Sequence, residues 1–173
     1  MIIAIGGPSC SGKSTLANRL SEIVGFEVIS MDNYRTSIIG THVSPITGTE
    51  YIDWSSPYSF DVSTALLVSE SYDNVIIEGL LALYFNEILQ KADLKIYMDA
   101  PADLRLCRRM ERSFNLGRAS KSDTRRYHLE SALIREIQFT EPTRGKADIV
   151  INTKNGVSEC VIASFLSNHF VAL

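Results

Sequence analysis

The apolar positions of this chain fall into two kinds of pattern that alternate along it. Short, largely apolar runs at residues 2–5, 26–29, 75–77, 94–98 and 149–151 predict strands, the run at 75–77 being fully apolar. Runs of this kind suit strands buried on both faces, as in a parallel sheet, better than the alternation of a half-solvated one. Between them lie stretches with apolar residues at helical spacing. Residues 13–24 carry Leu16, Leu20, Ile23 and Val24 and stop at Gly25. Further helices are predicted over 61–70, near 80–89, from Pro101 to about 114, over 122–139 and over 157–170. The last carries Val161, Ile162, Phe165 and Leu166 as a packing face.

Five strands separated by helices predict an α/β domain whose parallel sheet is covered on both sides. The 173 residues predict one domain spanning 1–173, with no repeat and no linker. In such sheets ligands gather at the carboxyl ends of the strands. Residues 36–58 form one long irregular stretch with Tyr51, Trp54 and Tyr58, the kind of segment that binds or covers ligands.

Composition narrows the classes. Charged residues make up 21% and the formal net charge is -3, which gives no sign of nucleic-acid or anionic-membrane binding. Cys10, Cys107 and Cys160 are widely spaced, so neither a zinc site nor a disulfide framework is expected. The first apolar run lacks a basic leader and breaks at Gly6-Gly7-Pro8, and no apolar run approaches a membrane span. A cytoplasmic protein is expected.

The first strand is followed by Gly7-Pro8-Ser9-Cys10-Ser11-Gly12-Lys13-Ser14, which fits G-x-x-x-x-G-K-[ST] at every fixed position. Glycines let backbone N–H groups turn inward around a phosphate, and the helix that follows adds its positive end. Lys13 is expected to reach the β- and γ-phosphates, Ser14 to ligate Mg²⁺ and Thr15 to add a contact. Ser9, Cys10 and Ser11 contribute backbone, the cysteine not as a nucleophile. No N-K-x-D guanine motif follows. Glu78 ends the third strand, where an acid faces Mg²⁺ in such proteins; a helix N-terminal acid is the plain alternative. Asp32 follows the second strand, where a phosphoryl-transfer enzyme needs a carboxylate for the acceptor's proton; a turn-capping Asp is equally open. Tyr34 and Arg35 would then line the acceptor site.

Arg105, Arg108, Arg109 and Arg112 fall at i, i+3, i+4 and i+7, one face of one helix. With Arg118, Lys121, Arg125 and Arg126, eight of the 17 basic residues lie in this stretch. Such a stripe needs anions, and a triphosphate supplies them; a solvated basic face is the alternative. Residues 113–122 read as a short lid. His42, His128 and His169 are expected to pack rather than react. Trp54 either stacks on an acceptor ring or anchors its loop, and Asp148 fits a strand-end role.

Taken together, these motifs resemble the uridine kinase and phosphoribulokinase family of P-loop kinases. The resemblance runs through Gly7–Ser14, Asp32-Asn33-Tyr34, Asp53 with Pro57 and Phe60-Asp61, and Ile76-Ile77-Glu78-Gly79-Leu80. It continues through 99–112, Gly117-Arg118, Tyr127, Glu141-Pro142-Thr143 and 147–151. It implies a three-layer αβα fold with strand order 2-3-1-4-5. It implies ATP as donor, Mg²⁺ held by Ser14 and Glu78, and Asp32 as general base. It implies Asp53 on ribose hydroxyls, and an acceptor segment over 33–60 that includes Tyr34 and Trp54. Arg108, Arg109, Arg112 and Arg118 would reach phosphates and acceptor, and Asn155 would border the adenine. The implied reaction is transfer to the 5′-hydroxyl of a ribonucleoside. Uridine–cytidine kinases carry a base-reading hairpin before the Glu-Gly strand, whereas here only residues 62–74 intervene. A nicotinamide riboside kinase, a kinase of another alcohol or sugar, and a regulatory ATPase without acceptor therefore stay open. So does the oligomeric state.

Overall fold

The computed structural model describes residues 1–157. The helix expected over 157–170, and Cys160 and His169, lie outside the described residues. The five expected strands are β1 (Ile2–Gly6), β2 (Glu27–Ser30), β5 (Val75–Glu78), β6 (Leu94–Asp99) and β7 (Ile149–Asn152). They pair in parallel in the order β2-β5-β1-β6-β7. Counted among themselves in chain order, these strands run 2-3-1-4-5. Two further strands, β3 (Thr41–Val43) and β4 (Glu50–Ile52), form a separate antiparallel hairpin. That hairpin corrects the reading of 36–58 as wholly irregular. Each of its strands is three residues long, too short for a periodicity to show.

The pleat divides the sheet's side chains between two cores. Ala4, Ile29, Val75, Ile77 and Tyr97 face one side, where α2 (Val62–Ser69) and α3 (Asn86–Lys91) cover them with Leu66 and Ile88. Ile3, Ile5, Ile76, Ile96 and Met98 face the other, under α1 (Lys13–Val24). Leu16 and Leu20 of α1 are fully buried there, each worth about 1.5–3 kcal/mol of burial. Ile23, expected on that face, is 53% exposed. The buried stripe runs 13, 16, 17 and 20, with Val24 partly buried, and residue 23 lies at its edge in the last turn of the helix.

The helix expected near 80–89 begins only at Asn86. Leu81, Ala82 and Leu83 are all buried in succession, which no helix facing solvent on one side permits, so the chain turns irregularly there. α4 (Ala102–Asn115) starts after Pro101 and carries the arginine stripe. Gly117, at φ 63°, turns the chain into α5 (Lys121–Tyr127), whose start Ser120 caps through a bond from the Asp123 N–H (3.1 Å). The expected lid at 113–122 is this connection, exposed through most of its length.

The helix expected over 122–139 is helical throughout but not regular. Two π-helical segments, His128–Ala132 and Glu136–Thr140, flank one α turn, α6 (Leu133–Arg135). Such segments re-aim side chains and recur at functional sites. Among the described residues, no helix is long and apolar enough to cross a membrane.

Candidate active site

The strand order leaves the carboxyl ends of β1, β2, β5 and β6 around one cleft, and the loop after β1 forms its floor. Gly7 sits at φ 132°, and a Cβ there would lie 2.3 Å from the Met98 carbonyl oxygen, so no other residue fits. Gly12, at φ 97°, ends the loop as the cap of α1. Between them Cys10 holds φ 64°, a left-handed conformation uncommon for a residue with a side chain and typical of functional turns. The loop is fastened from behind. Arg108 donates to the Cys10 (3.2 Å) and Thr153 (2.8 Å) carbonyls, and the Thr153 hydroxyl donates to the Ser11 carbonyl (2.7 Å).

Lys13 is buried and donates to the Pro8 carbonyl across its own loop (2.9 Å). Burial lowers its pKa, against the opposing pull of Glu78, Glu136 and Asp32. The Ser14 hydroxyl donates to Glu78 Oε2 (3.2 Å) at the end of β5. Among the described residues no cluster of three or more His, Cys, Asp or Glu exists to hold a metal alone. The Ser14 hydroxyl and the Glu78 carboxylate are hard oxygen donors of the kind that would hold a nucleotide-bound Mg²⁺.

Asp32 stands in a 3₁₀ turn directly after β2. Arg35 grips its Oδ1 (2.5 Å) and also donates to the Trp54 carbonyl (2.5 Å). The Arg35 guanidinium lies 4.0 Å over the Phe60 ring. One arginine thus ties the candidate base to the acceptor loop. Trp54, 44% exposed, and Ser55 form the neighbouring wall.

The four-arginine stripe is divided. Arg105 and Arg109 both pair with Glu136, a carboxylate only 1% exposed that also accepts from the Ser9 N–H (3.1 Å). Arg108 fastens the loop. Arg112 has no acidic partner among the described residues. The expectation that the stripe needs external anions is corrected for Arg105 and Arg109, whose counter-charge comes from the chain itself.

A cavity of about 490 Å³ unites these elements. Ser9, Cys10, Gly12, Lys13, Ser14 and Thr15 line its floor, and Asp32, Trp54, Glu78, Arg108, Arg109 and Arg112 its walls. A second cavity of about 410 Å³ shares Ser9, Arg109, Arg112 and Tyr127 with it. Gly7 and Ser11 stand behind the floor, not on it.

Four of the expected site residues do not line this first cavity. Tyr34 packs against the core rather than lining the cavity. Asp53 is buried and accepts two hydrogen bonds from Arg135, one from Nε to Oδ1 (3.1 Å) and one from Nη2 to Oδ2, and does not line the cavity. Arg118 lines the second cavity only. Asn155 is exposed and does not line the cavity, whereas its neighbours Gly156 and Val157 do.

The comparisons with known proteins agree with this geometry. The family model described as phosphoribulokinase / uridine kinase family matches residues 55–158, and one described as AAA domain matches 2–78. The chain is 31% identical to a uridine kinase of Borrelia hermsii, over 95% of this chain and 93% of that one. The chain belongs to the phosphoribulokinase / uridine kinase family. This kinase is also 30% identical to a uridine kinase of Deinococcus deserti, over 87% and 86% of the two chains. In fold it is similar to a fructose transport system kinase, described as putative, from a Silicibacter species (TM-score 0.61, 18% identity, 87% and 89% covered). It is similar too to the shikimate kinase of Acinetobacter baumannii (TM-score 0.59, 20% identity, 98% and 94% covered). This kinase is a phosphotransferase acting on an alcohol group of a small molecule. Kinases of its family use ATP, generally with Mg²⁺.

Glu136, Arg135 and the double grip of Arg35 escape a reading of sequence spacing. The one available signal was the shortage of acids near the arginine stripe, which calls for a distant carboxylate without saying which.

Proposed function

We propose that this kinase moves the γ-phosphoryl group of Mg²⁺-bound ATP to the hydroxyl of a small acceptor, with Asp32 as general base. The observation that carries the proposal is that the phosphate loop and Asp32 line one cavity, with Arg109 and Arg112 in its wall. Arg35 engages Oδ1 of Asp32, which leaves Oδ2 to accept the acceptor's proton. As the proton leaves, the acceptor oxygen bonds to the γ-phosphorus, the bond from that phosphorus to the β–γ bridging oxygen breaks, and ADP departs. Mg²⁺, held by Ser14 and Glu78, supplies charge neutralisation of the phosphates. Lys13, Arg109 and Arg112 stabilise the charge that develops on the transferring group.

The acceptor we favour is the 5′-hydroxyl of a ribonucleoside. The curated relatives are uridine kinases, and Trp54 offers a partly exposed ring for a base to stack on. A second reading, another alcohol or sugar that is not a riboside, is favoured by Asp53. Its carboxylate, expected on ribose hydroxyls, is engaged by Arg135. The cytoplasm, with its ATP and Mg²⁺, is the setting this reading carries with it.

The test is Asp32→Asn. Acceptor-stimulated ADP release should fall by about 100- to 10,000-fold, while ATP affinity stays within a few-fold of the unchanged protein. Acceptor-stimulated turnover that survives the substitution would remove Asp32 as the base. ADP release that no acceptor stimulates would favour the regulatory ATPase.

A further inference from the structure

Three parts of the cleft that lie far apart in sequence meet on one carboxylate. Glu136 opens the second π-helical segment, is 1% exposed and stands in the cavity wall. Its two oxygens are divided between two tasks. Oε2 accepts from Nη1 of Arg105, a buried residue whose Nε donates to the Ala100 carbonyl just beyond β6 (3.1 Å). That oxygen anchors the carboxylate to the core. Oε1 accepts from the Ser9 N–H of the phosphate loop (3.1 Å) and from Nη2 of Arg109 (3.1 Å). One atom therefore joins the donor loop to the arginine wall.

The charges make this junction more than a fastening. Two guanidinium groups share one carboxylate, so the cluster keeps a net positive charge. Arg105 does not reach the cavity, whereas Arg109 lines it. The surplus charge is thus presented where phosphates bind. The Arg109 guanidinium also lies 5.8 Å from the centre of the Tyr127 ring. It is held on two sides before any ligand arrives. Donors fixed in advance towards a developing charge need no reorganisation during the reaction, and that is where their effect on rate comes from.

We propose that Glu136 is a positioning residue for phosphoryl transfer: through Oε1 it sets Arg109 in register with the phosphate loop, so that the transferring group of a seated nucleotide meets that guanidinium. The inference rests on the kinase reading above and deepens it. Glu136 itself touches no substrate. Arg105 holds the far oxygen, so the carboxylate cannot swing away when phosphates enter beside it.

Equilibrium titration with Mg²⁺-bound ADP, with and without aluminium fluoride, tests this without an acceptor. The fluoride complex stands for the transferring group, and the ratio of the two affinities reads what the protein adds for the transition state. In the unaltered chain the fluoride should tighten ADP binding about tenfold or more. Glu136→Gln, which keeps the size and removes the charge, should abolish about tenfold of that tightening and change the affinity for ADP alone less than about twofold. Arg109→Lys completes the cycle. In that background Glu136→Gln should cost less than about twofold further, because a residue that acts through Arg109 has nothing left to act on. If Glu136→Gln does not fold, Glu136→Asp, which draws the charge back by one methylene, takes its place in the same cycle. An equal loss in both backgrounds would make Glu136 a structural residue only and overturn the inference. A matching loss for ADP alone would assign it to the donor loop, with the same result. Tighter binding of the fluoride complex by Glu136→Gln would show that the carboxylate competes with the phosphoryl group, and no tightening in the unaltered chain would show that Arg109 meets no developing charge; either overturns it. The kinase reading fails separately: ADP release from Mg·ATP that no acceptor stimulates would remove the acceptor and leave the outcome of this cycle standing.

Discussion

At the donor end of the cavity the structure relies on main chain. Gly7, Gly12 and the left-handed Cys10 shape a loop whose N–H groups face the phosphates, and the bonds from Arg108 and Thr153 land on loop carbonyls. At the acceptor end it relies on paired side chains brought from distant parts of the chain. Asp32 is held by Arg35, Asp53 by Arg135, and Arg109 by Glu136. A backbone cradle is fixed by local conformation and binds one kind of group, a chain of phosphates. A set of ion pairs is fixed by which charges happen to meet, and one exchanged residue changes what the pocket accepts.

The sharpest way to break this comparison is Lys13→Ala. It removes the side-chain charge that the phosphate loop itself carries, and kcat/KM should fall about 100- to 1,000-fold or more, with ATP binding lost alongside. Titration of ATP checks it, and binding like that of the unaltered chain would show that the backbone suffices alone. A smaller effect, on stability, is expected of Glu136→Ala. It leaves Arg105 and Arg109 without their buried partner and frees the Ser9 N–H, so the two ends should loosen together. Breaking a buried pair of this kind costs about 3–5 kcal/mol, which denaturant melts would register. A loss under about 1 kcal/mol would show that solvent replaces Glu136 without difficulty.

The smallest effect belongs to pH. Burial, aided by Arg109, pushes His128 down to about 4. The unfolded chain takes up a proton near 6.5 that the folded chain refuses until about 4. The stability is therefore complete above about 6.5 and is lost as pH falls towards 4, by at most about 3 kcal/mol. Comparing denaturant melts of the parent chain and His128→Asn at pH 7 and pH 5 isolates it. An equal pH dependence in both would move the effect elsewhere.

Much of the donor end is legible in the sequence because its determinants are local. Eight consecutive residues between a strand and a helix specify the loop, and Asp32 and Glu78 follow from the ends of β2 and β5. The acceptor end is less legible because its partners are far apart: Glu136 lies 27 residues from Arg109, and Arg135 lies 82 from Asp53. Nothing in spacing announces a π-helical segment, and it is within and beside such a segment that Glu136 and Arg135 aim at different partners. Tyr34 shows the same limit in reverse: being next to Asp32 in sequence did not bring it to the cavity, because the 3₁₀ turn sends its side chain into the core.

The position of β1 bears on how the protein is made. Of the strands of this sheet, β1 emerges before the others and is flanked on both edges, by β5 and β6, which are synthesised some 70 and 90 residues later. Pairings that span so much chain form slowly. A growing chain therefore carries the complete phosphate-loop sequence well before Met98, which crowds Gly7, and Thr153, which holds Ser11, have emerged. Until then Ile3, Ile5, Leu16 and Leu20 have no finished sheet to pack against. The phosphate loop therefore takes its final shape only after β6 and the residue that follows β7 have emerged.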